Sequence, residues 1–316
     1  MRPTGRVTVR VPASSANLGP GYDAVGLALG LYDEVEVAVS GEPGARVVAS
    51  GEGADVVPDG EEHLVVRSIR AALAHFGARE RVGLDLVCRN AVPHGRGLGS
   101  SATAIVTGVA AARALLPEGA ASVQDVVHLA SDLEGHPDNA AASVLGGMTL
   151  GWREGDGHWR AVRLDVHPDV EAVVCVPAHE LSTARARAML PEGVSHGDAA
   201  FTAGRAALLV EAMTRSPHLL LAATEERLHQ TQRGPAMPET LALVRDLRRA
   251  GLAATVSGAG PSVLVLTTGD RAGDVAPVAP GWQVLRPGID RHGATVTTRE
   301  REPGEEGSRA GAPVLQ

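Results

Sequence analysis

The chain contains no lysine: all 29 basic residues among its 316 are arginine. That absence excludes a Gly-x-x-x-x-Gly-Lys-Ser/Thr phosphate loop, the strand lysine of protein kinases and any Schiff-base chemistry. Phosphate charge, if handled at all, falls to backbone amides, a metal ion and arginine. Aromatic residues make up only 2% of the chain, so Val, Leu and Ala must fill the cores, and neither base stacking nor an aromatic cage is expected. Of the two cysteines, Cys88 and Cys175, each lies in an apolar strand-like run, which suits buried free thiols rather than a disulfide or a metal site. There is no run of about 18 apolar residues, and the opening Met1 to Gly5 lacks the apolar stretch of a signal peptide. A soluble, cytoplasmic chain without a membrane partner is expected. The net charge of −8 argues against nucleic acid as a partner.

What is present is small residues, with 38 glycines in a chain that is 44% apolar. The length predicts two domains, 1–160 and 161–299, followed by a tail, 300–316, rich in Arg, Glu, Gly and Pro and expected to be disordered. Three segments concentrate glycine and small polar residues. The first, Pro12 to Asp23, reads as a loop between strands at 6–11 and 33–39, and residues 41–62 read as surface turns. Helical spacing follows over Leu64 to Phe76 and alternation over Val82 to Cys88.

The second segment, Pro93 to Thr103, joins that strand to a helix over Ala102 to Leu116. Glycines at 95, 97 and 99 let the backbone approach a ligand, and the free amides of the following helix point at an anion with the favourable end of the helix dipole behind them. A tight turn with a serine cap is the plainer reading of the same letters. A helix over Ser122 to Glu134, capped by Ser122, ends in Glu134-Gly135-His136-Pro137-Asp138-Asn139. That hexapeptide is either a helix stop or a cluster for a metal and a polar substrate. A strand over Val170 to Pro177 and helices at about 198–214, 216–229 and 238–250 lead to the third segment, Ser257 to Ser262, which reads as a glycine turn between strands.

Together these segments resemble the kinase superfamily of galactokinase, homoserine kinase, mevalonate kinase and phosphomevalonate kinase. Pro12 to Gly26, Gly97 to Ser101, Glu134 with Asp138-Asn139, Leu181-Ser182-Thr183 with Arg187, His229-Gln230 with Arg233, and Ser257 to Ser262 look most like the homoserine kinase family. The resemblance implies an α+β, two-domain small-molecule kinase fold: an N-terminal ATP-binding domain like one found in a ribosomal protein, and a C-terminal ferredoxin-like domain. It implies transfer of the ATP γ-phosphoryl group to the side-chain hydroxyl of L-homoserine, in threonine biosynthesis. Pro93, His94, Gly95, Arg96, Gly97, Leu98, Gly99, Ser100, Ser101, Ala102 and Thr103 would wrap the triphosphate, with Ser101 and Glu134 holding Mg²⁺. Asn17, Asp23, His136, Asp138, Asn139, Arg187, Arg233 and Gly260 would serve the amino-acid pocket, and Thr183 would sit near the transferring phosphate. Of these, Asn17, Asp138, Asn139, Thr183 and Arg187 would stand at the chemistry. A homodimer is one arrangement open to such a chain.

Physical reasoning runs parallel. An amino acid carries a carboxylate and an ammonium, so its pocket needs cation and anion together, which Arg187 or Arg233 with Asp23 or Asp138 supply. Phosphoryl transfer needs positioning and charge stabilisation more than a strong base, so a lysine is dispensable. The chain departs from the superfamily pattern at His94, Gly95 and Arg96, and at His63, where relatives often carry Asn. Another small-molecule kinase acting on mevalonate, shikimate or a sugar, and a non-catalytic ligand sensor, are the alternatives.

Overall fold

The computed structural model describes residues 2–78 and 80–299; the tail expected at 300–316 lies outside the described residues. The first half runs β1 (Arg6–Ala16), β2 (Val25–Ser40), β3 (Ala45–Gly51), α1 (Leu64–His75), β4 (Gly83–Asn90), α2 (Ser100–Ala114), α3 (Val123–Glu134), α4 (Pro137–Leu145), β5 (Met148–Arg153) and β6 (Trp159–Leu164). The second runs β7 (Val170–Val176), α5 (Thr183–Arg187), α6 (His196–Thr214), α7 (Leu220–Ala223), α8 (Gln230–Arg233), α9 (Pro238–Arg249), β8 (Ala253–Val256), β9 (Val263–Thr268), α10 (Val275–Val278), β10 (Gln283–Leu285) and β11 (Thr295–Arg299).

Among the described residues the strands form two sheets. The seven-stranded one has the order β11-β1-β2-β4-β3, with β5 on β2 and β6 on β5; the four-stranded one has the order β10-β7-β9-β8. Among the described residues only β3 and β4 pair in parallel. Helices α1 to α4 cover one face of the larger sheet, in a core that includes Val9, Val37, Ile69, Leu86, Val106, Val127 and Ala141. In β7 the period of two divides one strand between two cores. Ala172, Val174 and Val176 meet Leu27 and Leu29 of β2 and Leu209 and Met213 of α6. Val173 and Cys175 meet Leu243 and Leu247 of α9. Burial on both faces explains why this strand reads as a continuous apolar run; burial, of Cys175 here and of Cys88 in β4, pushes both thiols up to about 12, where they are inert.

Four sequence expectations change. Pro12 to Ala16 is strand rather than loop: β1 continues past a bulge between Pro12 and Ala13, and the fully buried Ser14 and Ser15 pair with Ala28 and Leu27. The stretch 41–62 is more than turns, because β3 pairs with β4 and alternates between half-buried and exposed positions. The single helix expected over 216–229 is instead the short α7 followed by an irregular segment. There the buried Glu226 carboxylate accepts hydrogen bonds from the amides of Leu228, His229 and Gln230, opening α8. Residue 160 lies inside β6, a strand of the first sheet; the chain changes sheets at 165–169 and returns in β11 to pair with β1. Among the described residues no helix is long and apolar enough to cross a membrane.

Candidate active site

The three glycine-rich segments, far apart in sequence, meet at backbone contact. Asn17 Nδ2 donates to the Gly258 carbonyl (2.9 Å) while its Oδ1 accepts from the Asp23 amide (3.0 Å), so this one side chain ties the first segment to the third. Ser257 Oγ lies 2.6 Å from the Gly97 carbonyl oxygen and 2.8 Å from Ser15 Oγ, and the Ser14 amide donates to the Leu98 carbonyl at 3.1 Å. Asn17, Leu18 and Asp23 adopt φ of 71°, 49° and 55°. Three non-glycine residues in the left-handed region within one short segment are strained backbone of the kind that persists where surroundings over-determine it.

Gly97 and Gly99, both at φ 72°, are glycine for a second reason. A Cβ at Gly97 would collide with the carbonyl oxygen of Ser257, and one at Gly99 with Ser14 Oγ. Gly99 caps α2 without a side-chain hydrogen bond, so the first amides of a 15-residue helix, with its dipole behind them, face the cleft. The cleft has a volume of about 190 Å³, and Asn17, Asp23, Ser101, Glu134, His136, Asp138, Asn139, Thr183, Arg187 and Arg233 all line it.

At one end Ser101 Oγ donates to Glu134 Oε1 at 2.6 Å. Glu134 closes α3, where Gly135 at φ 92° ends the helix. Burial pushes its carboxyl above the usual range, opposed by the Ser101 hydrogen bond. Among the described residues no cluster of three or more His, Cys, Asp and Glu side chains could cage a metal alone. Ser101 Oγ and Glu134 Oε1 could contribute the one or two protein oxygens of a hard cation. Beyond Glu134, the buried Asp138 accepts from His136 Nδ1 (2.9 Å) and from the Asn139 amide (2.7 Å). The hydrogen bond to Asp138 raises the His136 pKa.

At the other end Arg187 makes a two-pronged pair with Asp23, at 2.7 and 3.0 Å. Arg233 is different. It is 2% exposed, its Nη1 reaches the Gly258 carbonyl at 3.3 Å and its Nη2 reaches Tyr22 Oη at 3.4 Å, while its Nε has no partner. Among the described residues no carboxylate lies within ion-pairing distance of it. Burial accordingly pulls its pKa down.

Some expected ligand contacts fall elsewhere. Pro93, Leu98, Ala102 and Thr103 are buried, so only their backbone is available to a ligand. The His94 ring packs beside Gly53. Arg96 directs its donors to the carbonyls of Pro177, Ala178 and His94, with Glu180 Oε1 3.6 Å from its Nη1, and so clamps two segments together. Gly260 sits behind the wall against Met237, leaving Gly258 and Ala259 to face the cleft. Two participants were missed: Tyr22, between the two arginines, and His229, behind Arg233. In a chain so poor in aromatics, a tyrosine inside the first motif was the signal available for the former.

Residues 63–147 match the family described as GHMP kinases N terminal domain, and residues 199–278 match GHMP kinases C terminal. The chain therefore belongs to the GHMP kinases, ATP-dependent enzymes that phosphorylate an alcohol. It is 53% identical over 293 residues to a homoserine kinase of Streptomyces coelicolor, covering 92% of this chain and 94% of that one. It is 56% identical over 272 residues to that of Rhodococcus erythropolis, covering 83% and 86%. Within the GHMP kinases its family is that of the homoserine kinases. The solved structure of homoserine kinase from Cytophaga hutchinsonii superposes with a TM-score of 0.81 at 26% identity, covering 93% of this chain and 98% of that one. Mevalonate diphosphate decarboxylase from Staphylococcus aureus shares the fold, with a TM-score of 0.67 at 18% identity over 93% of this chain and 98% of that one.

Proposed function

We propose that this kinase phosphorylates L-homoserine in the cytoplasm, giving O-phospho-L-homoserine for threonine synthesis. The observation that carries the substrate assignment is Arg233: a buried guanidinium facing the cleft without a carboxylate needs an anion. The substrate carboxylate supplies one, and Arg187 stands beside it. Asp23, held by Arg187 and by Asn17, offers a charge for the ammonium group. The side chain of homoserine then extends toward Asp138 and Asn139, which contact its hydroxyl.

The triphosphate lies on the amides that open α2, with the Gly95 to Ser101 backbone around it and Thr183 near the γ-phosphate. Ser101 and Glu134 would hold Mg²⁺, which neutralises phosphate charge when bound. The hydroxyl oxygen bonds to the γ-phosphorus as the bond to the β,γ-bridging oxygen breaks; ADP leaves and the hydroxyl proton is released to solvent. Catalysis here is alignment plus charge stabilisation, with no lysine required. The chain divides into two domains that meet at this cleft, with the change of domain at 165–169 and β11 returned to the first.

Pure protein with ATP, Mg²⁺ and a panel of homoserine, mevalonate, galactose and shikimate tests this reading. ADP release with homoserine is expected. Release only with another alcohol overturns the substrate, and release with none of the four leaves a ligand sensor.

A further inference from the structure

His229 is buried at 1% exposure and lines no part of the cleft, yet both of its ring nitrogens are engaged. Nε2 lies 2.8 Å from the carbonyl oxygen of Gly19, and Nδ1 lies 3.4 Å from Arg233 Nη1. Each partner dictates a role independently. A carbonyl cannot donate, so Nε2 must carry the proton. A guanidinium has no acceptor, so Nδ1 must present a lone pair. The two constraints agree on one species, the neutral imidazole protonated at Nε2.

We propose that His229, held as this tautomer, is the positioning residue that aims Arg233 at the substrate carboxylate while fixing the first glycine-rich segment through Gly19. The proposal rests on the amino-acid reading of the cleft given above.

The surroundings favour this state. The groups facing the ring are Glu226, whose carboxylate lies 3.7 Å from Nε2, Arg233 at Nδ1, the Tyr22 ring at 5.0 Å between centroids, and, farther off, Asp23. The Glu226 carboxylate is already engaged with three backbone amides and with Gln230 Nε2. Burial lowers the imidazole pKa, and a second proton would put an N–H against the guanidinium. Tyr22 Oη, 3.4 Å from Arg233 Nη2 and 3.3 Å from Arg187 Nη1, holds the far side. Arg233 is thus gripped between an imidazole lone pair, a carbonyl and a phenol, none of which neutralises it. Its orientation is set while its charge stays available to the ligand.

Two substitutions separate the two nitrogens. In His229→Asn the side-chain oxygen stands about where Nδ1 was and can accept from Arg233, but nothing reaches Gly19. In His229→Gln the amide reaches Gly19, but the Nδ1 acceptor is gone. The expected result is that His229→Gln raises KM for homoserine about tenfold or more with KM for ATP unchanged, whereas His229→Asn, which keeps the acceptor for Arg233 and loses the Gly19 contact, raises it several-fold less. Equal effects of the two variants, or parallel changes in both KM values, overturn the proposal.

Should either variant fail to fold, ¹⁵N-histidine spectra of the parent protein near neutral pH decide. A bare Nδ1 with a protonated Nε2 is expected for the slowly exchanging buried ring, and the opposite tautomer or an imidazolium overturns the proposal. Failure of the functional reading is distinguishable. Parent protein that does not turn over homoserine removes the substrate, while the tautomer and the effect of His229→Gln on whichever alcohol is used still report on the grip.

Discussion

A buried cation with no counter-ion destabilises the chain that carries it, and Arg233 is such a cation. Burying an unpaired charge costs several kcal/mol even after relaxation, so the residue has no structural justification at this position. Replacing it with Met, which has a similar length and no charge, is expected to leave the thermal midpoint unchanged or higher in a calorimetric scan while abolishing saturation by homoserine. Arg233→Ala raises KM for the amino acid and leaves that for ATP near the parent value. The reverse pattern in steady-state kinetics would place the arginine on the phosphates instead.

Glu134 behaves differently, because its carboxylate is strained toward protonation by burial and a metal relieves that. Glu134→Ala is expected to lower kcat on the order of 10³-fold or more with the circular dichroism melt retained, and near-normal kcat would refute the metal role. For His136 the sign follows from the Asp138 hydrogen bond, which raises its pKa above the usual 6.5. The stability this pair contributes is therefore fully present below about pH 6.5 and is lost as pH rises through the folded-state value. An NMR titration should show a midpoint above 6.5 that falls in Asp138→Asn.

At the scale of elements, local signals told the truth where a segment's own chemistry closed its hydrogen bonds. Ser122 caps α3 as expected, in a reciprocal box with Asp125. Ser122→Ala should lower unfolding free energy by about 1 kcal/mol in urea titrations without changing kcat, because Glu134, the proposed metal ligand, is at the other end of that helix. The glycine loop opening α2 was legible for the same reason: only backbone that must bend and approach closely calls for Gly at 97 and 99. The misreadings occurred where a distant partner decided. β3 alternates weakly and pairs with β4 across 38 intervening positions in register. Pro12 to Ala16 looked like loop because its residues are small, yet small residues are what a strand needs when loops and helices crowd both its faces. The run 216–229 has helical spacing, but the carboxylate of Glu226 captured the amides that would have continued it.

For the whole molecule, the cleft exists because two sheets and three loops are tied at a few points, and Arg96 is one of the ties. Its guanidinium holds the carbonyls of Pro177 and Ala178 at the end of β7. Arg96→Ala is therefore expected to lower the melting temperature and raise KM for ATP modestly. A fall in kcat of several orders of magnitude would show that it touches the phosphates after all.

Sequence alone settled which chemistry was open to this chain. Without lysine, and with glycine and serine massed at three places, phosphate had to be met by amides, a metal and arginine; the three carboxylates named for the site, Asp23, Glu134 and Asp138, line the cleft together with Arg187 and Arg233. It could not settle which side chains face a ligand, because facing is decided by what stands behind a residue. Arg96, Leu98 and Gly260 sit inside the right motifs and turn to the scaffold, while Tyr22 and His229, also inside motifs, show what they touch only when the first glycine segment folds against α8. Spacing along the chain records local bending and periodicity. The pairing of a guanidinium with an imidazole lone pair, a phenol and no anion is a property of packing between distant elements, and only the folded molecule holds it.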